Sequence, residues 1–590
     1  MKRIFTIVLF FCISLSYAMA KKILPDQALT IAVQFFGEQP TKSGGYTLVW
    51  DGLEPVTKAT VNQNASLYAI NRAEGGFIVI SGDDIIQPVL AYSEKGEFGA
   101  TAIPANVKAW FDYIIGGIEY LKRNNVTGSV KPATKSDFVV GSSSKQYTTA
   151  SWDQIEPFND KCPTMAGEKA VAGCLPTAMA IVMKYFAFPN QGTGTIANNP
   201  VIYNGIPYTL QGYNLGHSYD WANMPLSAPY SNEQMDQISQ LLYDCGMMIS
   251  AEYSPEGTSS AINDVPDEMA SHFGYSSKAS YFSYDTNVFT HKQWLDMLKE
   301  NLEQCGPTIY SGNSAEEGHA FVIDGFSGDD FHINWGWGGR YNASYSFPDF
   351  GDYSSNHWLI RGLKPASASD EGMTWISLSS TAQYPGLYVE DASAIVSMSQ
   401  FNIYWGLFWN VGNETFYGKI GFGLYSSSEE LKEVLIEYTI NGLPPYNGFS
   451  NQSFPCMIRG TIETGDHIMA IYKETGSDSW NKAHFGEEDA SLVTAIYLTT
   501  PNTPPEPEPE IDENTSIEYS LSTQIITIVT VDDAQFVLTN ALGTQITNAV
   551  SKSGPQILIN TKALPTGIYT ITISKADKNK SFNIKVGGNN

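Results

Sequence analysis

The stretch GCLPTAMAIVMKYF, residues 173–186, has the pattern of a helix that opens on a cysteine. Pro176 fits the first turn, because the N–H groups there have no intrahelical acceptor. Those N–H groups and the positive end of the helix dipole favour a thiolate, so we expect the pKa of Cys174 to be lowered. The apolar side chains after it recur at helical spacing and predict one buried face: Leu175, Ala178, Met179, Val182, Met183 and Phe186.

Cys174 has two interpretations that the helix alone does not separate. A lone cysteine is most often a small buried residue, and Cys174 would then serve packing. Alternatively it is a nucleophile, and Gly173 before it lets the backbone approach a substrate closely. A nucleophilic thiol needs a base. The choice therefore depends on the eight histidines of the chain.

His319 is the preferred base. In EEGHAFVIDGF it opens a strongly apolar strand, and a polar residue at such a position projects from the rim of a sheet. The alternative is His332, in DDFHINWGWGG. Alternation places His332 and Asn334 on one face of that strand and Trp335 on the other. If the two strands are neighbours, the Asn334 amide can hold the His319 imidazole in the useful tautomer. The other histidines lie in polar or unpatterned surroundings and are predicted at the surface: His217, His272, His291, His357, His467 and His484.

The first twenty residues, MKRIFTIVLFFCISLSYAMA, have the three parts of a secretory signal, with cleavage expected after Ala20. No other stretch has the length and apolarity of a membrane span. Removing Lys2 and Arg3 lowers the 34 basic residues to 32, against 61 acidic ones. Such a charge disfavours nucleic acid and anionic membranes as partners. We therefore expect an exported protein, either soluble or attached to the cell surface.

The cysteine pattern argues against a metal site. Of the six cysteines, Cys12 lies in the signal, and the odd number left means that at least one thiol is unpaired within the chain. There is no CxxC and no Cys/His cluster, so we expect neither a structural zinc site nor a cofactor. Disulfides among the remaining cysteines stay open: Cys162, Cys174, Cys245, Cys305 and Cys456.

The sequence pattern divides the mature chain into four regions and a linker. Residues 21–145 alternate helical and strand patterns, and residues 146–365 contain the Cys174 helix and glycine- and aromatic-rich strands. Residues 366–500 have short alternating strands, which predict a β-sandwich-like domain of unknown role. The acidic, proline-rich residues 501–514 form a stiff linker, and residues 515–590 a small β-domain. The predicted fold class is α+β, followed by two all-β domains.

Four blocks in a single order resemble the streptopain family of papain-like cysteine peptidases, which are secreted bacterial enzymes made as inactive precursors. The blocks are WDQIEPFN, GCLPTAMAIVMKYFAFP, GHAFVIDGF and FHINWGWGG. The resemblance covers about residues 21–365, because the leading region is similar to this family's prodomain. It implies a papain-like catalytic domain over residues 146–365. It also implies an inhibitory prodomain over residues 21–145, released by cleavage in the polar segment 131–147.

The same resemblance implies roles for five residues. Cys174 corresponds to the nucleophile and His319 to the general base and acid. The side-chain amide of Gln154 would hold the oxyanion together with the backbone N–H of Cys174. Asn334 and Trp335 match the positions that orient and shield the histidine. Subsite preference does not transfer, because the long glycine-rich loop of the best-known member is lacking after the aromatic motif. The segment SPEGTSSAIND, residues 254–264, falls where the family builds part of its substrate wall.

The leading hypothesis is an endopeptidase that acts on protein and peptide substrates and has its own prodomain as an intramolecular inhibitor. An amidase or transglutaminase with the same catalytic residues is one alternative. A surface adhesin whose β-domains bind host matrix or glycans is another. The last segment, with LPTGIYTITI and then SFNIKV, resembles the C-terminal sorting domains of the type IX system. That resemblance implies outer-membrane secretion machinery as a partner, and an ordinary small β-sandwich is the alternative.

Overall fold

A computed structural model describes most of the chain between residues 21 and 586. The described ranges are 21–37, 45–52, 55–56, 62–101, 103–124, 144–313, 318–348, 357–486, 492–498, 516–520, 525–529, 535–540, 544–553, 556–565, 567–575 and 578–586. The predicted signal peptide, most of the predicted cleavable segment and the linker 501–514 lie outside these ranges. Helices and strands mix up to residue 361, and longer helices give way to strands after it, which confirms the predicted fold class. No helix within the described ranges is long and apolar enough to cross a membrane.

The chain divides into two compact units. The first comprises residues 1–144 together with the short segments 327–332 and 340–350. The second comprises the rest of the chain. The first unit therefore includes two segments that the sequence pattern assigns to the catalytic region.

In the first unit, two helices accompany an antiparallel sheet. Its strands pair in chain order, and the strand Ala343–Ser346 then pairs with the fourth of them. The alternating apolar residues of the first helix pack against the sheet, where Ala28, Ala32, Ile70 and Ile78 share one core. The elements are the helices Pro25–Phe35 and Ala105–Arg123 and the strands Tyr46–Trp50, Leu67–Arg72, Phe77–Ser81, Val89–Ser93 and Ala343–Ser346.

The segment 340–350 is held in the first unit by strand pairing and by aromatic contacts. Tyr345 lies opposite Ala91 in the antiparallel pair of strands. The Tyr341 hydroxyl donates to the Gly99 carbonyl oxygen at 2.6 Å. The ring centroids of Trp110 and Phe347 are 4.7 Å apart. These contacts bury polar backbone and large apolar surface together, so the segment is an integral part of this unit.

Asp330 is a buried carboxyl group in the first unit. It is 5% exposed, and its Oδ2 has no hydrogen-bond partner among the described residues. Burial, together with the charge of the neighbouring Asp329, raises the pKa of Asp330 to about 8. An aspartate in an unfolded chain titrates near pH 4, so the folded unit retains a proton that the unfolded chain loses above about pH 4. Its stability is therefore expected to fall as the pH rises from about 4 to about 8.

We expect Asp330→Asn to stabilise the first unit at about pH 8 by at least about 1 kcal/mol, and to change little at about pH 5. The asparagine is always neutral and avoids the cost of burying an ionised carboxylate. Hydrogen exchange of the strand Val89–Ser93, compared with the parent at each pH, measures the difference. Glu97→Gln is the matched control, because Glu97 is an exposed carboxyl group of the same unit and does not contribute to the pKa shift of Asp330. Faster exchange in Asp330→Asn at the higher pH would contradict the assignment.

The second unit begins with four longer helices and an antiparallel sheet. The sheet runs from Gly318–Ser327 through Thr308–Asn313 and His357–Arg361 to Ser280–Ser283. The helices are Cys174–Phe186, Asn232–Met248, Val265–Phe273 and His291–Cys305. The short strands are Ser144–Gln146, Thr164–Met165, Glu168–Lys169, Asn199–Tyr203, Ile206–Leu210 and Asp330–Asn334, and the division between the units passes through the first and the last of these.

The helix Cys174–Phe186 is the most buried of the four, as its composition predicts. Every residue from Leu175 to Met183 is buried. Gly173 precedes it with a φ of 96°, and Ala187 ends it in the left-handed conformation. Met183 contacts the helix Asn232–Met248, where its sulfur lies 3.6 Å from the Cys245 sulfur. The buried residues therefore fix the helix in the core, and Cys174, which precedes them, is only partly buried.

Residues 376–498 form two antiparallel sheets around one core. The first contains Ile376–Ser379, Leu387–Tyr388, Gln400–Asn410 and Gly448–Met457, and the second Phe416–Tyr425, Leu431–Leu443, His467–Glu474, Asn481–Lys482 and Ala495–Tyr497. Alternate residues of both sheets, such as Trp405 and Phe422, meet in the shared core. This sandwich packs on the preceding region, since Asn413 Nδ2 donates to the Lys278 carbonyl oxygen at 2.8 Å. The rings of Phe289 and Trp375 are 5.0 Å apart at the same place.

The C-terminal segment forms two four-stranded antiparallel sheets with a single aliphatic core. Ile528, Ile557 and Ile571 are completely buried there. The strands are Ser516–Ser520, Ile525–Val529, Val550–Ser553 and Gln556–Asn560 in one sheet, and Gln535–Asn540, Gln545–Ile546, Gly567–Lys575 and Lys578–Val586 in the other.

Candidate active site

The Cys174 thiol lies where the helix Cys174–Phe186 meets the strand Gly318–Ser327. The backbone N–H of Ala320 donates to Cys174 Sγ at 3.4 Å. Burial raises the pKa of the Cys174 thiol, while hydrogen bonds from the N–H groups of Ala320, Leu175 and Cys174 itself lower it. The helix end thus acts as expected, but the predicted direction of the net shift is wrong, because burial outweighs it. A thiolate here requires a further positive charge nearby.

Gly173 is required by a close contact. A Cβ at this position would lie 3.0 Å from Cγ2 of Thr258 and 3.1 Å from its Cβ, and the backbone has a positive φ that side chains other than glycine rarely adopt. Thr258 is itself fixed, since its hydroxyl donates to the Val171 carbonyl oxygen at 2.6 Å. Thr258, within the segment 254–264, therefore lies against the residue before Cys174.

His319 is partly buried and lies next to Ala320 in the strand whose backbone contacts Cys174. The strand of Gly312 lies between the strands of His319 and His357, and Gly312 is opposite both histidines. The Cys174 sulfur therefore contacts the strand that carries His319. His332, the alternative base, belongs to the first unit.

Gln154 is buried, and its backbone is bonded to the segment that leads into the helix of Cys174. Its side chain and backbone together are only 6% exposed. The Gln154 carbonyl oxygen accepts a hydrogen bond from the N–H of Ala172 at 2.9 Å, which ties it to the segment leading into the helix. Its own N–H donates to Asp153 Oδ1 at 2.7 Å. The bond from Ala172 therefore ties the Gln154 backbone to the segment that leads into the helix.

Asn334 is 1% exposed and its amide has three described hydrogen bonds. Its Nδ2 donates to Thr149 Oγ1 and to the Ala150 carbonyl oxygen, each at 2.9 Å. Its Oδ1 accepts from the N–H of Gly336 at 3.1 Å. These bonds hold the strand end, the following loop and residues 149–150 together. The role of orienting His319 stays a prediction.

Trp335 and the glycines after it contact the strand of His319, the helix of Cys174 and the segment of Gln154. The Trp335 ring packs 4.8 Å from the ring of Phe321, two residues beyond His319. Gly336 has a φ of +71°, and a Cβ there would lie 3.0 Å from Thr177 Cγ2 in the helix Cys174–Phe186. The N–H of Gly338 donates to the Trp152 carbonyl oxygen at 2.8 Å. The WGWGG motif thereby joins the three segments that carry Gln154, Cys174 and Asn334.

The structure differs from the surface prediction for two histidines. His357 is 3% exposed and His467 is 2% exposed, so the prediction is wrong for both. Burial and the neighbouring charge of His291 lower the pKa of His357 to about 3, which keeps it neutral. All five cysteines in the described ranges are free thiols. Within the same ranges, no group of three or more His, Cys, Asp and Glu side chains is placed to hold a metal ion.

Two family models match the chain at the regions described above. Residues 152–345 match the model described as the Peptidase C10 family, and residues 20–115 match the model described as Spi protease inhibitor. The first match contains all five predicted site residues. The second covers most of the first unit.

Two characterised proteins and one solved structure are similar to the chain. It is 27% identical over 403 residues to the thiol protease/hemagglutinin PrtT of Porphyromonas gingivalis, covering 63% of this chain and 45% of that protein. It thus spans less than half the length of PrtT. It is 28% identical over 341 residues to streptopain of Streptococcus pyogenes, covering 55% of this chain and 83% of that protein. A fragment of Prevotella intermedia prointerpain A has 26% identity and a TM-score of 0.44, over 52% of this chain and 98% of that one.

Proposed function

We propose that the protein is a cysteine endopeptidase made as an inactive precursor, because residues 152–345 match the peptidase C10 family model and residues 20–115 match an inhibitor model. The observation that carries this proposal is the Cys174 sulfur, which lies in the first turn of a buried helix and accepts a hydrogen bond from the residue after His319. The substrates are peptide bonds of extracellular proteins.

The proposed reaction uses Cys174 as nucleophile and His319 as proton carrier. The thiolate attacks the scissile carbonyl carbon, and a C–S bond forms. The backbone N–H of Cys174 and the side-chain amide of Gln154 stabilise the oxyanion. His319 then protonates the leaving amine as the C–N bond breaks. Water, deprotonated by His319, hydrolyses the thioester and restores the thiol.

The raised pKa of the Cys174 thiol supports a mechanism in which the thiol gives its proton to an imidazole. Burial raises the pKa of this thiol despite three N–H donors. An unassisted thiol would therefore stay protonated at neutral pH, and transfer of its proton to an imidazole supplies the missing charge. His319 supplies that imidazole in the proposed mechanism. Asn334 and Trp335 serve as positioning residues through the loop that they hold.

The first unit is proposed to act as the intramolecular inhibitor, since residues 20–115 match an inhibitor model. Cleavage between residues 131 and 147 would release it. Export through the signal peptide, residues 1–20, places the enzyme outside the cytoplasm. The C-terminal residues 515–590 are proposed to direct the enzyme to the outer-membrane secretion machinery.

Binding by the sandwich of residues 376–498 is a second candidate function, in line with an adhesin. Three tyrosines cluster on one of its sheets: the ring of Tyr384 is 5.1 Å from Tyr404 and 5.7 Å from Tyr388. Tyr388 is 38% exposed. Stacked, partly exposed rings are typical of surfaces that bind a partner.

The precursor itself tests the proposed function. Incubated under reducing conditions, the full chain is expected to generate new N-termini between residues 131 and 147, and a peptidyl vinyl sulfone is expected to label Cys174. Mass spectrometry reads both. Cys174→Ala is expected to show neither.

Two outcomes would contradict the proposal. One is the absence of a Cys174 adduct after proteolytic removal of residues 21–145. The other is a set of N-termini that is the same in Cys174→Ala. Products on a peptide substrate separate the alternatives: a peptidase leaves a new carboxylate that carries oxygen from isotope-labelled water, whereas a transglutaminase incorporates an added amine.

A further inference from the structure

An open cavity of about 520 Å³ lies in the second unit, and none of the five predicted catalytic residues lines it. The loop 213–219 forms one side and the helix Asn232–Met248 the other. Helix residues at spacings of three and four present one face to the cavity. The lining residues are Tyr213, His217, Ser218, Tyr219, Asp236, Gln237, Gln240 and Tyr243.

Asp244 lies beneath this cavity and is completely buried. Its Oδ1 accepts hydrogen bonds from the Tyr213 hydroxyl at 2.7 Å and from Gln240 Nε2 at 2.8 Å. Its Oδ2 accepts from the Tyr219 hydroxyl at 2.7 Å and from His217 Nε2 at 2.8 Å. Four lining side chains are therefore fixed by one carboxylate before any ligand arrives, which lowers the entropy lost on binding.

The charges around the cavity are compensated in pairs. Asp244 Oδ2 lies 2.8 Å from His217 Nε2, and this hydrogen bond raises the pKa of His217. Asp236 is paired with Lys161, whose Nζ lies 2.5 Å from Asp236 Oδ1. A metal cation would have to displace the donors on Asp244, and an anionic ligand would meet two carboxylates. The walls therefore suit a ligand without net charge.

The remaining surface combines tyrosine rings with hydroxyl and amide groups. The rings of Tyr213 and Tyr243 are nearly parallel, at 11° and 6.0 Å between centroids. Gln237 and Ser218 add neutral hydrogen-bonding groups, and Gln240 Oε1 adds an acceptor. A pyranose ring has the matching chemistry, with an apolar C–H face and a rim of hydroxyls. A cavity of this volume holds two or three such rings.

We propose that the cavity is a binding site for a short neutral oligosaccharide, through which the enzyme attaches to glycan-bearing substrates or surfaces. This site is independent of the catalytic residues. It adds to the proposed peptidase function and would stand if that function failed.

The test uses the full chain carrying Cys174→Ala, which prevents self-cleavage. Maltotriose, cellotriose and triacetylchitotriose are titrated separately, and binding is measured by calorimetry and by saturation-transfer NMR. At least one trisaccharide is expected to bind saturably. Gln237→Trp, which fills the cavity from the helix face, is expected to weaken that binding at least about tenfold. Gln211→Trp, at an exposed position outside the lining, is the matched control and is expected to bind like the parent.

Three results would overturn the proposal. The first is the absence of saturable binding for all three probes. The second is equal affinity in Gln237→Trp and Gln211→Trp. The third is binding of a neutral tripeptide, trialanine, at this cavity in preference to every trisaccharide. Gln240→Ala, which removes an amide and keeps the helix, provides a second variant if Gln237→Trp folds poorly.

Discussion

Cys174→Ser is expected to lower kcat/KM on a peptide substrate by about 10⁴-fold or more, although it exchanges a single atom. A serine hydroxyl is a far weaker acid than a thiol, and the histidine of a cysteine peptidase is adjusted to a sulfur nucleophile. The local geometry adds to the loss, since the Ala320 N–H contacts sulfur at 3.4 Å, beyond the usual length of a bond to oxygen. The measurement is a progress curve of the processed enzyme with a fluorogenic peptide.

Cys305→Ser is the matched control for this substitution. Cys305 is a half-buried free thiol at the end of another helix, and it belongs to none of the site segments. Its replacement is expected to leave kcat/KM within about twofold of the parent. Retention of more than about one percent of the activity in Cys174→Ser would contradict the assignment of the nucleophile. Equal losses in both variants would point to a general effect of thiol removal.

The helix Cys174–Phe186 could be predicted from the sequence because a local pattern specifies it. The apolar spacing after Cys174 predicts a helix with one buried face. The structure confirms the helix but buries it on all sides from Leu175 to Met183, and Phe186 is only partly buried. The predicted order of an α+β region followed by β-domains is confirmed for the same reason. Periodicity reports which face is buried, and it needs no knowledge of distant partners.

Features that depend on distant partners could not be read in this way. The pairing of Tyr345 with Ala91 joins strands far apart in the chain, and no local pattern marks it. The net pKa shift of Cys174 depends on burial by other elements, whereas the sequence shows only the helix end that opposes it. Local signals therefore predicted the N–H donors at the helix end but not the direction of the net pKa shift of the thiol.

The Asp244 network was missed although the sequence contains a signal for it. In the helix Asn232–Met248, Asp244 lies on the apolar side, three residues after Leu241 and next to Cys245, all of which are buried. An acidic residue on a buried helical face requires hydrogen-bond donors from elsewhere. The tyrosines and the histidine of the loop 213–219 are such donors, so His217 is better interpreted with Asp244 than as an isolated surface residue.

His319→Ala is expected to lower kcat/KM by about 10³-fold or more, and to change how Cys174 responds to pH. With the imidazole present, Cys174 is expected to react with iodoacetamide at neutral pH as part of an ion pair. Without it, burial keeps the pKa of the thiol above its ordinary value of 9.0, so alkylation should accelerate only in more alkaline solution. Rates measured across this range by mass spectrometry report the shift directly.

Gln154→Ala distinguishes the effect of losing the oxyanion donor from the effect of losing the histidine. It is expected to lower kcat by about 10²- to 10³-fold, because an oxyanion donor acts in the transition state and not on the resting thiol. The pH profile of Cys174 alkylation should therefore match the parent in Gln154→Ala and shift to alkaline pH only in His319→Ala. A neutral-pH alkylation rate that survives in His319→Ala would exclude His319 as the partner of the thiol. The base would then have to be sought among the other histidines, of which His357 is a poor choice because burial lowers its pKa to about 3.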